Sequence, residues 1–391
     1  MEQEQEWLRV LAVERAKAGE DHRVIWTSLR QSRSWFYKWL LRAREGGKDW
    51  FHDRPPGTDD PANRSPGEIE NIVCFVRQQL YNREGFHGAQ AILWELKDQS
   101  VTPLPSLSTI DRILRRNDLT HKRTGRYRPK DVPYPTPKAE RPNDVHQADF
   151  IGPRFLKVGE RTRPFYVLNA VDIATGRCAI QALTEGKGGM DAAFGAIWRR
   201  LGVPRTLQVD NEMTFHGSPL YPRTPGPLPR LRLPMGIEPL FIPVREPWRN
   251  GVVEKFQDYW DHHVWRKGPV RDWRDLHRRN MAMERRHNRE WRYSKLGGRT
   301  PLAMLAASNA TLRFPVERTA PATSSTCLES GRYHLIRFIR GDGKSDVFGE
   351  KFDVDPDLRY EYVQVTVDVA KQHLYLQHDG EQVDDWKYET K

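Results

Sequence analysis

The sequence predicts a multidomain chain with an all-α N-terminal part, an α/β core on a mixed sheet, and a small C-terminal β-barrel. Three observations carry this. The first 125 residues hold segments of helical spacing separated by polar breaks. From Asn143 the texture changes to runs rich in aromatic and β-branched residues, with one helix-patterned stretch among them. The final part alternates apolar and polar residues in RYHLIRFIR, DVFGEKFDV, YVQVTVDV and HLYLQHDGEQV, a pattern of short antiparallel strands. The boundaries read as helical modules at 1–55 and 60–125, a linker at 126–142, the core at 143–310, and the β-domain at 331–391.

Composition narrows the partners. A chain of 391 residues exceeds one ordinary domain, and its net charge of +11 with a pI near 9.5 favours a polyanion. No run of about 18 apolar residues is present, and the start, MEQEQEWLRV, is too acidic for a secretion signal, so no membrane is expected and the chain should work in a cytoplasm. Cys74, Cys178 and Cys327 are scattered without paired spacing, which points to packing rather than a disulfide framework or zinc site. Nucleic acid is the partner that remains.

The helical modules fit DNA. In the first, helices are expected over Glu4–Ala18, His22–Leu29 and Ser34–Arg44, a helix-turn-helix order. The third alternates core candidates Trp35, Trp39 and Leu40 with Arg33, Ser34, Lys38 and Arg42, which can face a groove and its phosphates. The second module repeats the pattern over Pro66–Tyr81, Gly88–Lys97 and Ser106–Asn117, and its last helix offers Ser108, Arg112 and Arg115. The linker GRYRPKDVPYPTPKAERP is Pro-rich and basic, and Arg128 and Lys130 in it can lie along a phosphate backbone. Farther on, His262 to Arg299 holds twelve Lys or Arg against four acidic residues, which tilts that stretch towards phosphate contact.

In the core, HQADFIGPRFL and PFYVLNAVDIATG read as strands, RCAIQALTEG as a third, GMDAAFGAIWRRLG as a helix and RTLQVD as a fourth strand. Asp149 falls inside the first strand and Asp210 at the end of the fourth, whereas Asp172 reads as a turn residue. Phosphodiester chemistry with two Mg²⁺ about 4 Å apart needs several oxygen ligands on rigid elements, and three carboxylates from separate segments can supply them.

HQADF, VDNEMTF and EPWRNGVVEKF together resemble the Asp-Asp-Glu core of the retroviral-integrase-type insertion-sequence transposases. The resemblance implies an RNase H-like core that uses Asp149, Asp210 and a glutamate as catalytic and metal-binding residues, with two Mg²⁺ per site and Mn²⁺ as a substitute. It implies a transposase that cleaves transposon-end DNA and joins the 3′-OH ends to target DNA. The working form would be a homo-oligomer on DNA, a dimer or higher, in a bacterial-type, nucleoid-associated setting; a helper ATPase stays undetermined. Two readings stay open beside it: a DNA-binding regulator with a decayed core, and a structure-specific nuclease of the same fold. Intact carboxylates oppose the first, and paired helix-turn-helix units oppose the second.

Two glutamates compete for the third position. The shorter spacing of retroviral integrases, counted from Asp210, lands on Glu246. The family motif, Pro then Asn-Gly then Glu and a basic residue, matches Pro247, Asn250, Gly251, Glu254 and Lys255. Pro247 pushes Glu246 towards extended backbone, while Asn250 is a good N-cap and Val253, Phe256, Trp260 and Val264 form a helical stripe beside Glu254. Glu254 is therefore chosen. The 43 residues between Asp210 and Glu254 include the Pro-rich stretch Ser218–Gly236, which reads as an extended basic surface insertion. Asp258 and Asp261 stand where retroviral integrases carry lysines, so DNA contact near the site is assigned to Arg249, Lys255, Arg266 and Lys267, with His262 as a further candidate.

Overall fold

The computed structural model describes residues 2–47, 49–53, 64–120, 133–184, 186–216, 223–315 and 328–390. Arg128, Lys130 and Cys327 lie outside the described residues. The chain divides into two compact units, Met1–Pro66 and Gly67–Lys391.

In the first unit, α1 (Glu2–Lys17), α2 (His22–Ser28) and α3 (Arg33–Glu45) pack around Ala12, Ile25, Phe36 and Leu40. Caps set the boundaries: the Asp21 side chain accepts from the amides of Arg23 and Val24, and Ser32 accepts from Trp35 N. Phe36 fills the core position that the sequence pattern suggests for Trp35, which is half-buried. Trp39 is buried under the guanidinium groups of Arg9 and Arg42, at 4.0 and 4.6 Å from its ring.

The second unit opens with α4 (Gly67–Asn82), α5 (Ala89–Asp98) and α6 (Leu107–Arg116), built on Ile69, Val73, Ile92, Leu96, Ile110 and Ile113. Ser106 caps α6 by accepting from Thr109 N, just as Ser32 caps α3. These helices rest on the rest of the unit: Phe86 lies among the rings of Tyr259, Trp291 and Tyr293, and Trp94 lies beside the Arg292 guanidinium.

A mixed sheet follows. Strands β1 (Val145–Val158), β2 (Arg161–Asp172) and β3 (Cys178–Leu183) are antiparallel; β4 (Thr206–Val209) runs parallel to β1, and β5 (Glu238–Phe241) parallel to β4. On one face, α7 (Met190–Leu201) packs Phe194, Ile197 and Trp198 against Leu168, Ala170 and Leu207. On the other, α10 (Gly251–Trp260) and α11 (Trp273–Arg289) pack Val253, Phe256, Trp260, Leu276 and Met283 against Phe165, Val167 and Ile180. With both faces covered, the second half of β2 is buried at every position, Asn169 and Asp172 included, rather than in alternation. Between β4 and β5 lie the short α8 (Met213–His216) and α9 (Pro227–Arg232), and α12 (Pro301–Ser308) follows α11.

Two expectations change here. The described part of the Pro-rich stretch is not an extended surface insertion. Pro227 starts α9, Leu228 and Leu233 are buried in the core, and buried Arg232 pairs with Asp191 at 2.8 Å while lying 4.8 Å from the rings of Phe194 and Trp198.

Nor do the C-terminal strands form a separate small barrel. β6 (Arg332–Phe338) pairs in parallel with β5 through Leu240↔His334 and Phe241↔Leu335, and β9 (Tyr362–Asp368), β10 (His373–His378) and β11 (Glu381–Lys387) extend the sheet outward. The order is β11-β10-β9-β6-β5-β4-β1-β2-β3, with β7 (Lys344–Val347) and β8 (Glu350–Asp353) as a separate hairpin. The physical reason is the unpaired edge of β5: β6 satisfies its backbone groups, and Leu335, Val365 and Leu376 join the same apolar cluster as Trp198 and Phe241.

A chain ended at residue 330 is therefore expected to lose cooperative folding of the core, because it bares the β5 edge and removes a large part of that cluster. Thermal unfolding by circular dichroism checks this; a truncated chain that melts like the full one would mean the C-terminal strands are an independent domain.

Candidate active site

The strand that carries Asp149 and the strand that leads into Asp210 also hold the helix that carries Glu254. Gln147, on β1, points its Oε1 at the first turn of α10 and accepts from Val252 N at 3.0 Å and Val253 N at 3.2 Å. Asn250 occupies the N-cap position, but its side chain does not cap; it donates to Ala148 O at 3.2 Å. Gln208, on β4, donates to Arg249 O at 2.9 Å. A side chain from the neighbouring strand thus supplies the acceptor that the sequence suggested Asn250 would provide.

Asp149 sits on β1 opposite Asn169 of β2, Asp210 directly follows β4, and Glu254 lies in the first turn of α10. Gln257 donates to Asp149 Oδ2 at 2.8 Å, and the Phe150 amide stands 2.7 Å from Oδ1. Gln257 is three residues after Glu254, so both lie on one face of α10, and that face looks towards Asp149. Asp210 accepts from Glu212 N at 3.1 Å. Its neighbour Asn211 is held by Ile242 O and by Arg337 Nη2 at 3.3 Å, the latter from β6.

Electrostatics couple these groups. Burial, and next the charge of Asp210, raise the Asp149 carboxyl from 3.8 to about 6. Burial also raises Asp210; the hydrogen bond from the Glu212 amide opposes this, the Glu212 charge adds to it and Lys187 opposes it. Glu254 is raised by burial, then by Asp258 and Asp210. Asp210 is thus felt by both other carboxylates.

Sequence reasoning missed Glu212 and Lys187. Glu212 stands two residues past Asp210, and Lys187 Nζ binds its carboxylate while lying 5.0 Å from the ring centres of Phe150 and Tyr166. The Gly-rich stretch around Lys187 was a weak signal at best. Gln147, Gln257 and Arg337 carried none, since their roles exist only across elements.

The donor chemistry, half-buried carboxylate oxygens that repel one another, suits a hard divalent cation. Among the described residues, no three His, Cys, Asp or Glu side chains stand close enough together to hold a metal ion as placed.

Glu246 is committed elsewhere: the Tyr362 hydroxyl donates to it at 2.8 Å, and Arg249 pairs with it at 3.0 Å. That Arg249 guanidinium is also stacked 3.9 Å from the Tyr134 ring, a clamp rather than a free cation. Lys255 pairs with Asp258 at 3.3 Å, Arg266 with Asp261 at 2.5 Å, and Lys267 with Glu84. Arg33, Ser34 and Lys38 are exposed on α3, and Ser108, Arg112 and Arg115 on α6; Arg42 is half-buried and donates to His52 O.

No family model and no curated protein sequence matches the chain. Among solved structures, a chain of the simian T-cell lymphotropic virus intasome in complex with PP2A regulatory subunit B56 gamma is similar at 12% identity and TM-score 0.36, over 64% of this chain and 80% of that one. Catalytic core domains of HTLV-2 integrase in complex with magnesium, in dimeric and trimeric forms, are similar at 16% and 14% identity, each with TM-score 0.31 over 43% of this chain and 99% of that one. No helix among the described residues is long and apolar enough to cross a membrane.

A carboxyl raised in the folded chain binds protons more readily there than in the unfolded chain. Stability is therefore fully present below 3.8 and falls as pH rises towards about 6 at Asp149. In chelator at neutral pH, Asp149→Asn is expected to be more stable than the parent by on the order of 2 kcal/mol, with the gap closing in acid. Saturating Mg²⁺ should raise the parent's melting temperature and leave that of Asp149→Asn nearly unmoved. Equal Mg²⁺ shifts in both would remove Asp149 from the ligand set.

Proposed function

We propose that the chain is a DNA transposase with an RNase H-like core, whose helical modules read transposon-end DNA and whose Asp149, Asp210 and Glu254 serve strand cleavage and joining to target DNA. The observation that carries this reading is the tie between α10 and the strands: Gln147 and Gln257 bring the Glu254 face to Asp149, and Asp210 perturbs both carboxylates. The strand order β3-β2-β1-β4-β5, with helices on both faces, supports it as well.

The chemistry is two in-line displacements at phosphorus. In the first, water attacks, one P–O bond forms, another breaks, and a 3′-OH is freed. In the second, that 3′-OH attacks a target phosphodiester and releases a target 3′-OH, so no covalent protein intermediate is needed. Asp149, Asp210 and Glu254 would hold two Mg²⁺, which when bound activate the nucleophile and stabilise the leaving oxygen. Gln257 and the Phe150 amide fix the Asp149 oxygens, Glu212 N fixes Asp210, and Arg337 steadies the loop after β4 through Asn211.

Arg33, Ser34 and Lys38 on α3 and Ser108, Arg112 and Arg115 on α6 are the groove-facing candidates of two helix-turn-helix modules. One site per chain has to serve paired ends, so the working form holds at least two protomers on DNA. The alternative, a DNA-binding regulator whose core no longer cuts, is opposed by the intact Asp149, Asp210 and Glu254.

Asp149→Asn, Asp210→Asn and Glu254→Gln should each abolish cleavage and joining while leaving end binding intact, and Glu246→Gln should keep substantial activity. A dead Glu246→Gln beside an active Glu254→Gln would reverse the assignment, and a parent chain that binds ends but never cuts in Mg²⁺ would favour the regulator. Replacing Arg33 and Lys38, or Arg112 and Arg115, by alanine should weaken end binding about 10-fold or more and flatten its salt dependence. Unchanged binding isotherms would take the recognition role away from those helices.

A further inference from the structure

A cleft of about 340 Å³ lies between the end of α10 and α11, lined by His263, Lys267, Arg278, Arg279, Met283 and Arg286. Past Trp260 the helix widens into a π-type turn, Asp261–Trp265, which carries His263 towards α11. Four fixed positive charges therefore share one concave surface.

Two carboxylates answer them among the described residues. Asp275 belongs to α11 itself and pairs with Arg278 and Arg279 at 2.5 and 3.0 Å. Glu84 comes from the turn between α4 and α5, pairs with Lys267 and Arg286, and stands 3.6 Å from His263 Nδ1. Arg279 also donates to the carbonyls of Val264, Gly268 and Pro269, so it forms the wall, while the Arg278 side chain remains 68% exposed. The cleft keeps a positive surplus with Glu84 in place.

The Glu84 carboxylate is not what anchors its own turn. Trp291 Nε1 donates to the Glu84 carbonyl at 3.2 Å, and Phe86 lies 5.1 to 5.6 Å from the ring centres of Trp291, Tyr293 and Tyr259. The carboxylate thus supplies anionic oxygens to a Lys and an Arg, the chemistry those side chains offer to phosphate. His263 follows Glu254 by nine residues on one helical path, about 14 Å, or roughly four base-pair steps along a duplex.

We propose that this cleft binds a backbone phosphate of duplex DNA beside the cutting site, and that Glu84 competes with that phosphate for Lys267 and Arg286. The proposal rests on the transposase reading only in taking DNA as the source of the phosphate.

The test uses the full chain and a fluorescein-labelled duplex of random sequence, followed by anisotropy across a salt series. Glu84→Gln should bind about 3- to 10-fold tighter at low salt, and its slope of log affinity against log salt should steepen by about one. Arg278→Gln, whose ion pair is with Asp275 and not Glu84, should bind more weakly with a slope flatter by about one. If Glu84 is only a docking contact, Glu84→Gln leaves affinity and slope unchanged, and the proposal falls.

If Glu84→Gln melts early, Arg278→Gln decides alone: an unchanged slope overturns the cleft, and a flatter one at unchanged melting temperature supports it. Inorganic phosphate separates the other source. If it raises the melting temperature of the parent and not of Arg278→Gln while duplex slopes stay equal, the cleft takes free phosphate and the DNA assignment is wrong. A chain that binds duplex through this cleft yet never cuts refutes the transposase reading alone, and one that cuts and joins normally with unchanged slopes refutes the cleft alone.

Discussion

The candidate site depends on how the first turn of α10 is satisfied. A helix N-terminus leaves backbone N–H groups without intrahelical partners, and α10 begins against the sheet, where water cannot reach all of them. Gln147 answers two of those amides from β1, Asn250 donates back to Ala148 O, and Gln208 holds the Arg249 carbonyl from β4. These bonds join the two strands that carry or precede the aspartates to the helix that carries Glu254. Loss of the Gln147 amide would leave buried donors unpaired and let α10 shift relative to Asp149 at the same time.

The C-terminal strands bear on the same region through backbone and side chains together. By completing the β5 edge, β6 brings Arg337 under the loop after β4, and β9 brings the Tyr362 hydroxyl to Glu246. Arg337 is buried, and burial lowers its pKa to about 10, so it stays cationic while it bonds Asp346 O, Ile336 O and Asn211. What resembles an appended module in the sequence is in space part of the scaffold of the acidic site.

Charge is divided by location. Acid groups gather where the strands meet α10, and their mutual repulsion is left standing apart from Lys187 beside Glu212. Basic groups are spread outside, where Lys255, Arg266 and Lys267 each hold a nearby carboxylate. The Lys255–Asp258 pair is exposed on both sides and contributes little to stability, so a polyanion can exchange into it at small cost in fold.

Much of the architecture was legible locally. The helical spacings place α1 to α6 within a residue or two of their observed ends, because caps such as Asp21, Ser32 and Ser106 act within their own turns. Runs rich in aromatic and β-branched residues mark β1 to β3, and the stripe Val253, Phe256, Trp260 and Val264 sets the buried face of α10. The sequence by itself also put Glu254 on a helix and Pro247 beside Glu246, which separates the two glutamates before any contact is known.

Only tertiary structure decided the rest. Alternation says which face of a strand is apolar but not which edge it will meet, so the joining of β6 to β5 was invisible and a barrel was the natural reading. The burial of Arg232 was hidden because a Pro-rich stretch with basic residues reads as surface until Phe194 and Trp198 are brought over it. Gln147 capping a helix more than a hundred residues away, and Glu84 entering a basic cleft on α11, are pairings between segments whose separation along the chain leaves no local mark.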